Sequence, residues 1–267
     1  MEFIVNNSQF EKMIDNTIKG FPKMINSKIN FRGKNNILVC ENDIILDNIV
    51  LNFNGDDSIV YLGSNLKNNF RLNIYNNSSI FLGKNIDVGV SITIEALEGQ
   101  NIIIGDDCVL GNNVYISNSD GYSFYDTNSK NRINFSKSIF IGDHVLLGNN
   151  VFISKGVKIG SGSIVDNMSF IPAYAKVGSN LYLSGNPAKI IRKNIFFSKD
   201  HVGNFKNTDT ENFKFYKSDV FIFNVVDQET LSLDDIDRIL KELDVNSKQE
   251  FIQKLFIINK RKNRFSI

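Results

Sequence analysis

A short polar segment carries the titratable side chains that could do chemistry in this chain. Residues 118–126 read NSDGYSFYD, which places Asp120 and Asp126 on either side of Tyr122 in a loop of roughly twenty residues. A carboxylate with a pKa near 4 binds protons weakly, and a phenol with a pKa near 10 is only ~0.1% ionised at neutral pH. The chain has 2 histidines, His144 and His201, which disfavours a mechanism that needs several imidazoles.

A six-residue repeat surrounds this loop and must position it. An aliphatic residue recurs at every sixth position in the series Ile141, Leu147, Ile153, Ile159, Val165, Ile171 and Val177. The same phase appears upstream at Ile104, Leu110 and Ile116, and more faintly at Leu82, Val88 and Ile94. A period of six differs from the helical 3.6 and the strand's 2, and it suits short strands joined by regular turns. Three such strands make one triangular coil, and successive coils stack at a spacing of ~4.8 Å with the aliphatics inside.

This pattern resembles the hexapeptide-repeat family, whose fold is a left-handed parallel β-helix. The resemblance is strong over residues 80–197 and looser over 35–79. The handedness is implied by the family, because parallel crossovers are otherwise almost always right-handed. An antiparallel sandwich is the alternative, but it would not hold one phase over so many sixes. We therefore expect a mainly β protein with a β-helix over 35–197 and a protruding loop at 117–138.

The two flanks differ from the repeat. Residues 1–34 are predicted to form a helical cap, with an amphipathic helix over 1–25 that presents Phe10, Met13, Ile14 and Ile18. Residues 198–267 are predicted to form a small α+β extension: a strand at FKFYKSDVFIFNVV, then two helices, the first capped at Ser232 with Asp235. The closing KRKNR is interpreted as a solvated tail, with a docking surface as the alternative.

The composition excludes several classes of function. The chain has 30 basic and 29 acidic residues, so its net charge of +1 favours neither nucleic acid nor an anionic membrane as a partner. Acidic and amide residues interrupt the N-terminus where a signal peptide needs an apolar stretch, and no apolar run reaches the ~18 residues that span a bilayer. We expect a cytoplasmic protein without a transmembrane segment, with Cys40 and Cys108 as buried thiols.

Longer motifs narrow the family. Three histidines on one zinc, as in γ-class carbonic anhydrases, are not available, and no Gly-rich nucleotide-binding domain precedes the repeat. The ordered segments SDGYSFYD, IGDHVLLG and GNPAK are similar to those of bacterial enzymes that O-acetylate sialic acids, capsules and lipopolysaccharide sugars. The resemblance implies an acetyl-CoA-dependent O-acetyltransferase of a surface-glycan sugar, without a metal, acting as a homotrimer. In such enzymes the site lies between subunits, and a loop histidine is the general base.

The same resemblance implies a coenzyme site near the end of the repeat. The GNPAK turn would hold coenzyme A, with cationic side chains on its phosphates. The residues that match are Gly185, Asn186, Pro187, Ala188, Lys189 and, as a further phosphate partner, Arg192. The alternative is that GNPAK is simply the turn that ends the prism, with Lys189 as a surface charge.

The chain departs from the family pattern where the chemistry is done. Tyr122 stands at the loop histidine, Leu146 at the tryptophan after Asp-His-Val, and Phe197 at a later aromatic position that is often tryptophan. General-base catalysis contributes typically 10²–10⁴-fold, which corresponds to about 3–5 kcal/mol of barrier. The catalytic loop is therefore predicted to be modified or impaired.

Other groups could replace the missing base. His144 is expected to face outward near the groove, either as a turn histidine bonded to a neighbouring coil or as a substitute base. Asp120 and Asp126 are weaker candidates, since an Asp-Gly pair is also an ordinary turn signal. Two functions stay open at this point: an O-acetyltransferase with an altered loop, and a non-catalytic trimeric scaffold or ligand-binding relative.

Overall fold

The computed structural model describes residues 1–41, 44–66, 69–223, 230–259 and 262–267. The strands of the first half are β1 (Glu2–Ile4), β2 (Thr17–Lys19), β3 (Lys23–Ile25), β4 (Lys28–Phe31), β5 (Ile37–Cys40), β6 (Ile45–Asp47), β7 (Val50–Phe53), β8 (Ile59–Leu62), β9 (Phe70–Ile74), β10 (Ser79–Leu82), β11 (Asp87–Val88) and β12 (Ile92–Ala96). The following strands are β13 (Asn101–Ile104), β14 (Val109–Leu110), β15 (Tyr115–Ser117), β16 (Ile139–Ile141), β17 (Leu146–Leu147), β18 (Phe152–Ile153), β19 (Lys158–Ile159), β20 (Ile164–Val165), β21 (Phe170–Ile171), β22 (Lys176–Val177), β23 (Leu181–Gly185) and β24 (Ala188–Lys193).

These strands form the three faces of a prism. Face 1 has the order β1-β4-β7-β9-β12-β15-β18-β21, and face 2 has the order β2-β5-β8-β10-β13-β16-β19-β22. Face 3 consists of the pair β3-β6 and of the sheet β11-β14-β17-β20-β23-β24. Neighbouring strands are parallel except at the ends, where β1 is antiparallel to β4 and β24 is antiparallel to β23. The chain visits the faces in turn, which confirms the predicted fold class, a mainly β protein built on a parallel β-helix.

The repeated aliphatics fill the prism, as the period of six predicts. Ile141, Ile153, Ile159 and the other members of the series lie in one core cluster that runs the length of the coils. Cys40 and Cys108 are buried there as free thiols, as expected. The interior is therefore a single apolar column, and polar groups are left for the corners and the outer surface.

Coil length explains why the repeat fades upstream. Asp143 and Ser161, which stack on each other at one corner, are 18 residues apart in sequence, which is three sixes. Lys84 and Asp106 occupy the same corner in earlier coils but are 22 residues apart. The early strands are longer, up to the five residues of β9 and β12. Longer strands break the phase of six while keeping the inward alternation, because side chains still alternate along a strand.

The prediction of a helix over residues 1–25 is wrong. A 3-10 helix covers Asn7–Lys12, whereas β2 and β3 already belong to the first coil, ahead of the predicted start at residue 35. Phe10, Met13 and Ile18 pack against the core, and Ile14 is exposed. Strand pairing is preferred because β2 gains a ladder with β5, whereas a helix in a protein depends mostly on packing of its apolar face. The capping role falls to β1, which covers the edge of β4.

The C-terminal extension covers face 2. It contains a 3-10 turn (Val202–Asn204), α1 (Asn207–Asn212), β25 (Leu231–Ser232), α2 (Leu233–Glu242), α3 (Val245–Ile252), a π-helical segment (Gln253–Ile258) and β26 (Phe265–Ser266). The two predicted helices are confirmed, and the Ser232 side chain caps α2 by accepting from the Asp234 amide at 3.2 Å. The outer side chains of face 2, such as Phe81 and Phe140, form a second apolar core with Leu240 and Phe256 of the extension.

Two predictions for the extension differ from the structure. Residues 213–223 form no strand, and the rest of FKFYKSDVFIFNVV up to residue 226 lies outside the described residues. KRKNR is not a solvated tail as far as it is described: Arg264 is only 2% exposed, and Lys262 donates to the Asp219 carbonyl. Lys260 and Arg261 lie outside the described residues. Arg264 is buried because two carboxylates of the prism bind it.

Candidate active site

The polar loop leaves the prism at the corner where faces 1 and 2 meet, here called the loop corner (residues 97–100, 118–138 and 154–157). It joins β15 to β16 and occupies the place of a four-residue turn in the neighbouring coils. Both neighbouring coils hold it. Glu98 of the preceding coil forms an ion pair with Arg132 and accepts a hydrogen bond from Ser136, while Lys155 of the following coil pairs with Asp120. The loop is thus an ordered part of the corner.

Asp120 and Tyr122 lie together on this loop. Asp120 accepts hydrogen bonds from the Lys155 ammonium and, at 2.8 Å, from Asn134 Nδ2. Partial burial works to raise the pKa of Asp120, but the bonds from Lys155 and Asn134 outweigh it and leave the pKa below its usual range. Tyr122 is 83% exposed, and its backbone carbonyl accepts from Asn134 Nδ2 at 2.8 Å. The phenol is therefore free to meet a bound molecule.

Asp126 has a local role in the loop. Its carboxylate accepts from the backbone amides of Asn128 at 3.0 Å and Ser129 at 2.7 Å, and from the Ser129 hydroxyl at 2.9 Å. These bonds, with the Ser129 amide first, hold the pKa of Asp126 below its usual value. The side chain closes the turn over residues 126–130, as an Asx-turn does.

His144 lies at a different corner, where faces 2 and 3 meet, here called the histidine corner (residues 83–86, 105–108, 142–145 and 160–163). It occupies a turn position with φ +53°, in the same column as Asn85 and Asp107. The ring is 1% exposed and is stacked between Phe197 and Phe221, with centroid distances of 4.1 and 3.8 Å. Its Nε2 lies 2.9 Å from the Phe197 carbonyl oxygen. Burial lowers the pKa of His144, although the bond to the Phe197 carbonyl opposes this.

A buried charge cluster adjoins His144, and the motifs gave no sign of it. Arg264 Nη2 lies 2.8 Å from Asp106 Oδ2 and 2.7 Å from Asp143 Oδ1, and Arg264 Nε donates to Asp143 Oδ2 at 2.9 Å. Its Nη1 donates to the carbonyls of Leu255 and Asn259. Burial, aided by Asp143, raises the pKa of Asp106 to about 6 despite Arg264. The available signal was the stack of Asp106 on Asp143, which places two carboxylates in neighbouring coils at one corner.

The predicted coenzyme residues lie together in one hairpin. Gly185 ends β23, Ala188 begins β24, and the two strands pair antiparallel at the end of face 3. Lys189 and Arg192 are exposed on β24. Leu146 lies on the same face between Val109 and Ile164, and all three are half-buried. An apolar row on face 3 therefore leads toward a turn that carries two cations.

The structure of one chain does not bring all predicted residues to one place. Asp120, Tyr122 and Asp126 share the loop corner, which lies opposite face 3 in a triangular cross-section. The hairpin closes face 3, and His144 lies at the histidine corner under the C-terminal extension. Sequence reasoning missed Asn134 and Lys155, which bind Asp120. Their role depends on which coil stacks on which, and this is a property of coil length.

The described residues lack the features of two other kinds of site. No group of three or more histidine, cysteine, aspartate and glutamate side chains lies close enough there to hold a metal ion. In the same residues no helix has the length and apolar character that crossing a membrane requires.

Known proteins resemble the chain in sequence repeat and in fold. A family model described as the hexapeptide repeat of succinyl-transferase matches residues 99–118 and 138–171, the segments on either side of the loop. The crystal structure of the polySia-specific acetyltransferase NeuO has a TM-score of 0.61 and 30% sequence identity, covering 74% of this chain and 93% of that chain. The polysialic acid O-acetyltransferase OatWY has a TM-score of 0.60 and 25% identity, covering 76% of this chain and 97% of that chain.

A curated relative gives a shorter match. The polysialic acid O-acetyltransferase of Escherichia coli O1:K1 is 35% identical over 122 residues. That match covers 46% of this chain and 39% of the relative, so it spans about two fifths of the relative's length.

Proposed function

The chain belongs to the hexapeptide-repeat acetyltransferases, and from that premise we propose that it moves the acetyl group of acetyl-CoA to a hydroxyl of a bacterial surface glycan. The observation that carries this proposal is the likeness to NeuO, a polySia-specific acetyltransferase, over 93% of that protein's chain. OatWY, a polysialic acid O-acetyltransferase, has the same fold. A polymer of sialic acid is therefore the first acceptor to test, ahead of other capsule or lipopolysaccharide sugars, and we place the reaction in the cytoplasm.

Face 3 suits the coenzyme. Its half-buried row of Val109, Leu146 and Ile164 offers an apolar track for the pantetheine arm. The hairpin at its end adds Lys189 and Arg192, whose positive charges suit phosphate groups. The Gly185–Ala188 turn presents backbone groups that can bond the amides of the arm. When bound, acetyl-CoA supplies the activated acyl group, and these residues hold it along the prism.

The reaction needs a second copy of the chain. Tyr122 is at the loop corner, whereas the hairpin closes the opposite face, so one chain cannot place the phenol beside a thioester held on its own face 3. A neighbouring chain whose loop reaches over that face completes the site. A heterologous contact that closes makes a ring with one site in each groove between subunits. We propose that this ring is a homotrimer, as the resemblance to the hexapeptide-repeat acetyltransferases implies.

The loop supplies the groups that meet the acceptor. A sugar hydroxyl oxygen attacks the thioester carbonyl. A C–O bond forms, the C–S bond breaks, and the hydroxyl gives up its proton to solvent while the leaving thiolate of the coenzyme takes one up. Tyr122 is the exposed group at the position of the base, and Asp120 lies two residues before it. His144 is stacked between two phenylalanines, and the Asp126 carboxylate is hydrogen-bonded within its own turn, so neither reaches the acceptor. Positioning by the groove supplies turnover, which the missing imidazole keeps slow.

The experiment compares wild type with Tyr122→His. Release of free thiol from acetyl-CoA is measured in the presence of polysialic acid and of other surface glycans. We expect wild type to exceed the rate without enzyme and Tyr122→His to be faster by about 10²-fold or more, because an imidazole is mostly unprotonated at neutral pH. Tyr125→His is the matched control, since Tyr125 is exposed on the same loop, and it should behave as wild type.

Two outcomes contradict the proposal. If wild type releases no thiol above background with any acceptor, the chain is a non-catalytic relative, even when Tyr122→His restores transfer. If calorimetry detects no binding of coenzyme A, the assignment of face 3 and the hairpin also fails.

A further inference from the structure

The side chain of Asn134 is the centre of the loop's hydrogen bonds. Its Nδ2 donates to Asp120 Oδ2 and to the Tyr122 carbonyl, both at 2.8 Å. Its Oδ1 accepts from the Phe124 amide at 2.7 Å and from Arg132 Nε at 3.5 Å. A carboxamide has two donor hydrogens and one oxygen with two lone pairs. Asn134 therefore uses its full hydrogen-bonding capacity inside the loop.

These bonds fix the backbone on both sides of Tyr122. One holds the carbonyl of Tyr122 itself, and another holds the amide of Phe124, so the intervening peptide is bound at each end. Asn134 is 6% exposed, although its chain neighbours Ile133 and Phe135 are both above 60% exposed. A buried polar side chain with all partners in place gives a segment one conformation, because any other leaves a bond unmade.

Asn134 also joins the loop's two anchors. Asp120 is bound by Lys155, which is 6% exposed and belongs to the following coil. Arg132 is bound by Glu98 of the preceding coil, with Nη2 at 2.9 Å from Oε2. These contacts anchor the segment 120–124 to the coils on both sides of the loop. The side chain of Tyr122 is meanwhile left free, at 83% exposed.

We propose that Asn134 is a positioning residue for Tyr122. It holds the segment 120–124 in the conformation that aims the phenol away from the prism, toward the groove that a neighbouring chain completes. The consequence for acetyl transfer rests on the proposed function, and the positioning itself does not. Transfer depends on a near-attack arrangement, in which a misplacement of about 1 Å costs about 10²-fold in rate.

A fluorescence experiment tests the positioning directly. The chain has 0 tryptophans, so Tyr122→Trp introduces a single indole, which can be excited selectively over the remaining tyrosines. Adding Asn134→Asp keeps the size of the side chain but replaces both donor hydrogens with an acceptor that faces Asp120 and the carbonyl of residue 122. We expect the anisotropy of the introduced indole to fall toward that of a free peptide, while the midpoint of thermal unfolding measured by circular dichroism stays close to that of the parent.

Asn131→Asp is the matched control. It makes the same change of charge on the same loop, but Asn131 is exposed and its side chain makes no hydrogen bond to the described residues. We expect the parent anisotropy for this variant. Unchanged anisotropy in Asn134→Asp, or an equal fall in both variants, would overturn the proposal.

Hydrogen exchange of the wild-type chain gives a second reading that needs no variant. The Phe124 amide should exchange at least about 10-fold more slowly than the Ser123 amide, for which the described residues offer no acceptor. Equal exchange of the two amides contradicts the proposal, even if Asn134→Asp does not fold.

Measurement of acetyl transfer distinguishes a failure of the positioning role of Asn134 from a failure of the proposed function. In chains that keep Tyr122, Asn134→Asp should lower kcat by about 10²-fold with the KM for acetyl-CoA unchanged. If no chain transfers acetyl groups while the anisotropy and exchange results hold, the proposed function fails and the positioning stands. If transfer by Asn134→Asp equals that of wild type, the link from positioning to catalysis is wrong.

Discussion

The loop corner and the histidine corner contain similar side chains in opposite surroundings. At the loop corner, Asp120 is paired with Lys155, and the nearby Tyr122 is 83% exposed. At the histidine corner, Asp143 is paired with Arg264, and the adjacent His144 is 1% exposed. Each corner thus combines a carboxylate, a cation from a distant part of the sequence and a ring. The accessibility of the ring is what separates them.

The difference comes from what covers each corner. Phe197 and Phe221 stack on the two sides of His144, and Arg264 arrives from the end of the C-terminal extension. No described residue stacks on Tyr122, and the second apolar core that α2 and α3 form with face 2 contains no residue of 118–126. A buried ring in a charge cluster holds the extension on the prism, whereas an exposed ring on an anchored loop is available to a ligand. Residue type alone therefore does not identify the reactive corner.

The largest effect is expected from Arg264→Ala. The substitution leaves Asp106 and Asp143 buried without their cation, which should lower the free energy of unfolding by about 3–5 kcal/mol. Urea denaturation followed by circular dichroism at neutral pH measures the change. The deficit should shrink at pH 5, because Asp106, with its pKa raised to about 6, can then take up a proton and lose its charge.

Arg238→Ala is the control for that experiment. Arg238 lies in the same extension and pairs with Asp235 at 2.9 Å, but both side chains are exposed. Its loss should cost at most about 0.5 kcal/mol. Equal costs for the two arginines would mean that the histidine corner is no more important to stability than the outer surface.

The sequence predicted the inside of the prism better than its outside. The period of six identifies inward side chains such as Ile141 and Ile159, because inward packing is what the repeat encodes. It does not show what covers a face. The runs ILVC, IVYL and SIFL did indicate that face 2 is covered, because their residues are buried on both sides of that face. Continuous apolar strands are typical of sheets that are covered on both faces.

The candidate site was predictable only where its residues are close in sequence. Asp120 and Tyr122 fall on one loop, so the motif placed them together. Lys155 reaches Asp120 across 35 residues and Arg264 reaches Asp143 across 121, and both contacts depend on coil stacking or on the path of the extension. The sequence alone sets neither, since stacking changes with each insertion in a coil. Because the path of the extension cannot be read from the sequence, His144 was expected near the groove.

A smaller effect is expected when His144 is replaced by asparagine. Asparagine suits the positive φ of this turn, as Asn85 shows in the same column, but the stacking on two phenylalanines is lost. We expect a cost of about 1–3 kcal/mol at pH 7.5. The cost should be smaller at pH 5.5, and urea denaturation at both pH values measures it.

The sign of this pH effect follows from the lowered pKa of His144. Burial disfavours the charged form of His144, and so does the positive charge of Lys199. Asp107 and Asp143 favour the charged form, but burial outweighs them. Below about pH 6.5 the unfolded chain binds a proton that the folded chain resists, so wild type loses stability as the pH falls. His144→Asn lacks this loss. His201→Asn, at an exposed histidine, should keep the wild-type dependence. Parallel curves for wild type and His144→Asn would contradict a buried, neutral ring.

The smallest effect on stability is expected at the loop corner itself, from Arg132→Ala. This change removes the pair with Glu98, which lies at the surface, so the midpoint of thermal unfolding should move by no more than about 2 °C. Chymotrypsin cleavage after the exposed loop aromatics should nevertheless become faster, because one of the two anchors is gone. Lys130→Ala, on the same loop, is the control and should change neither reading. If Arg132→Ala instead lowers the midpoint as Arg264→Ala does, the loop corner carries stability too, and burial is not what separates the two corners.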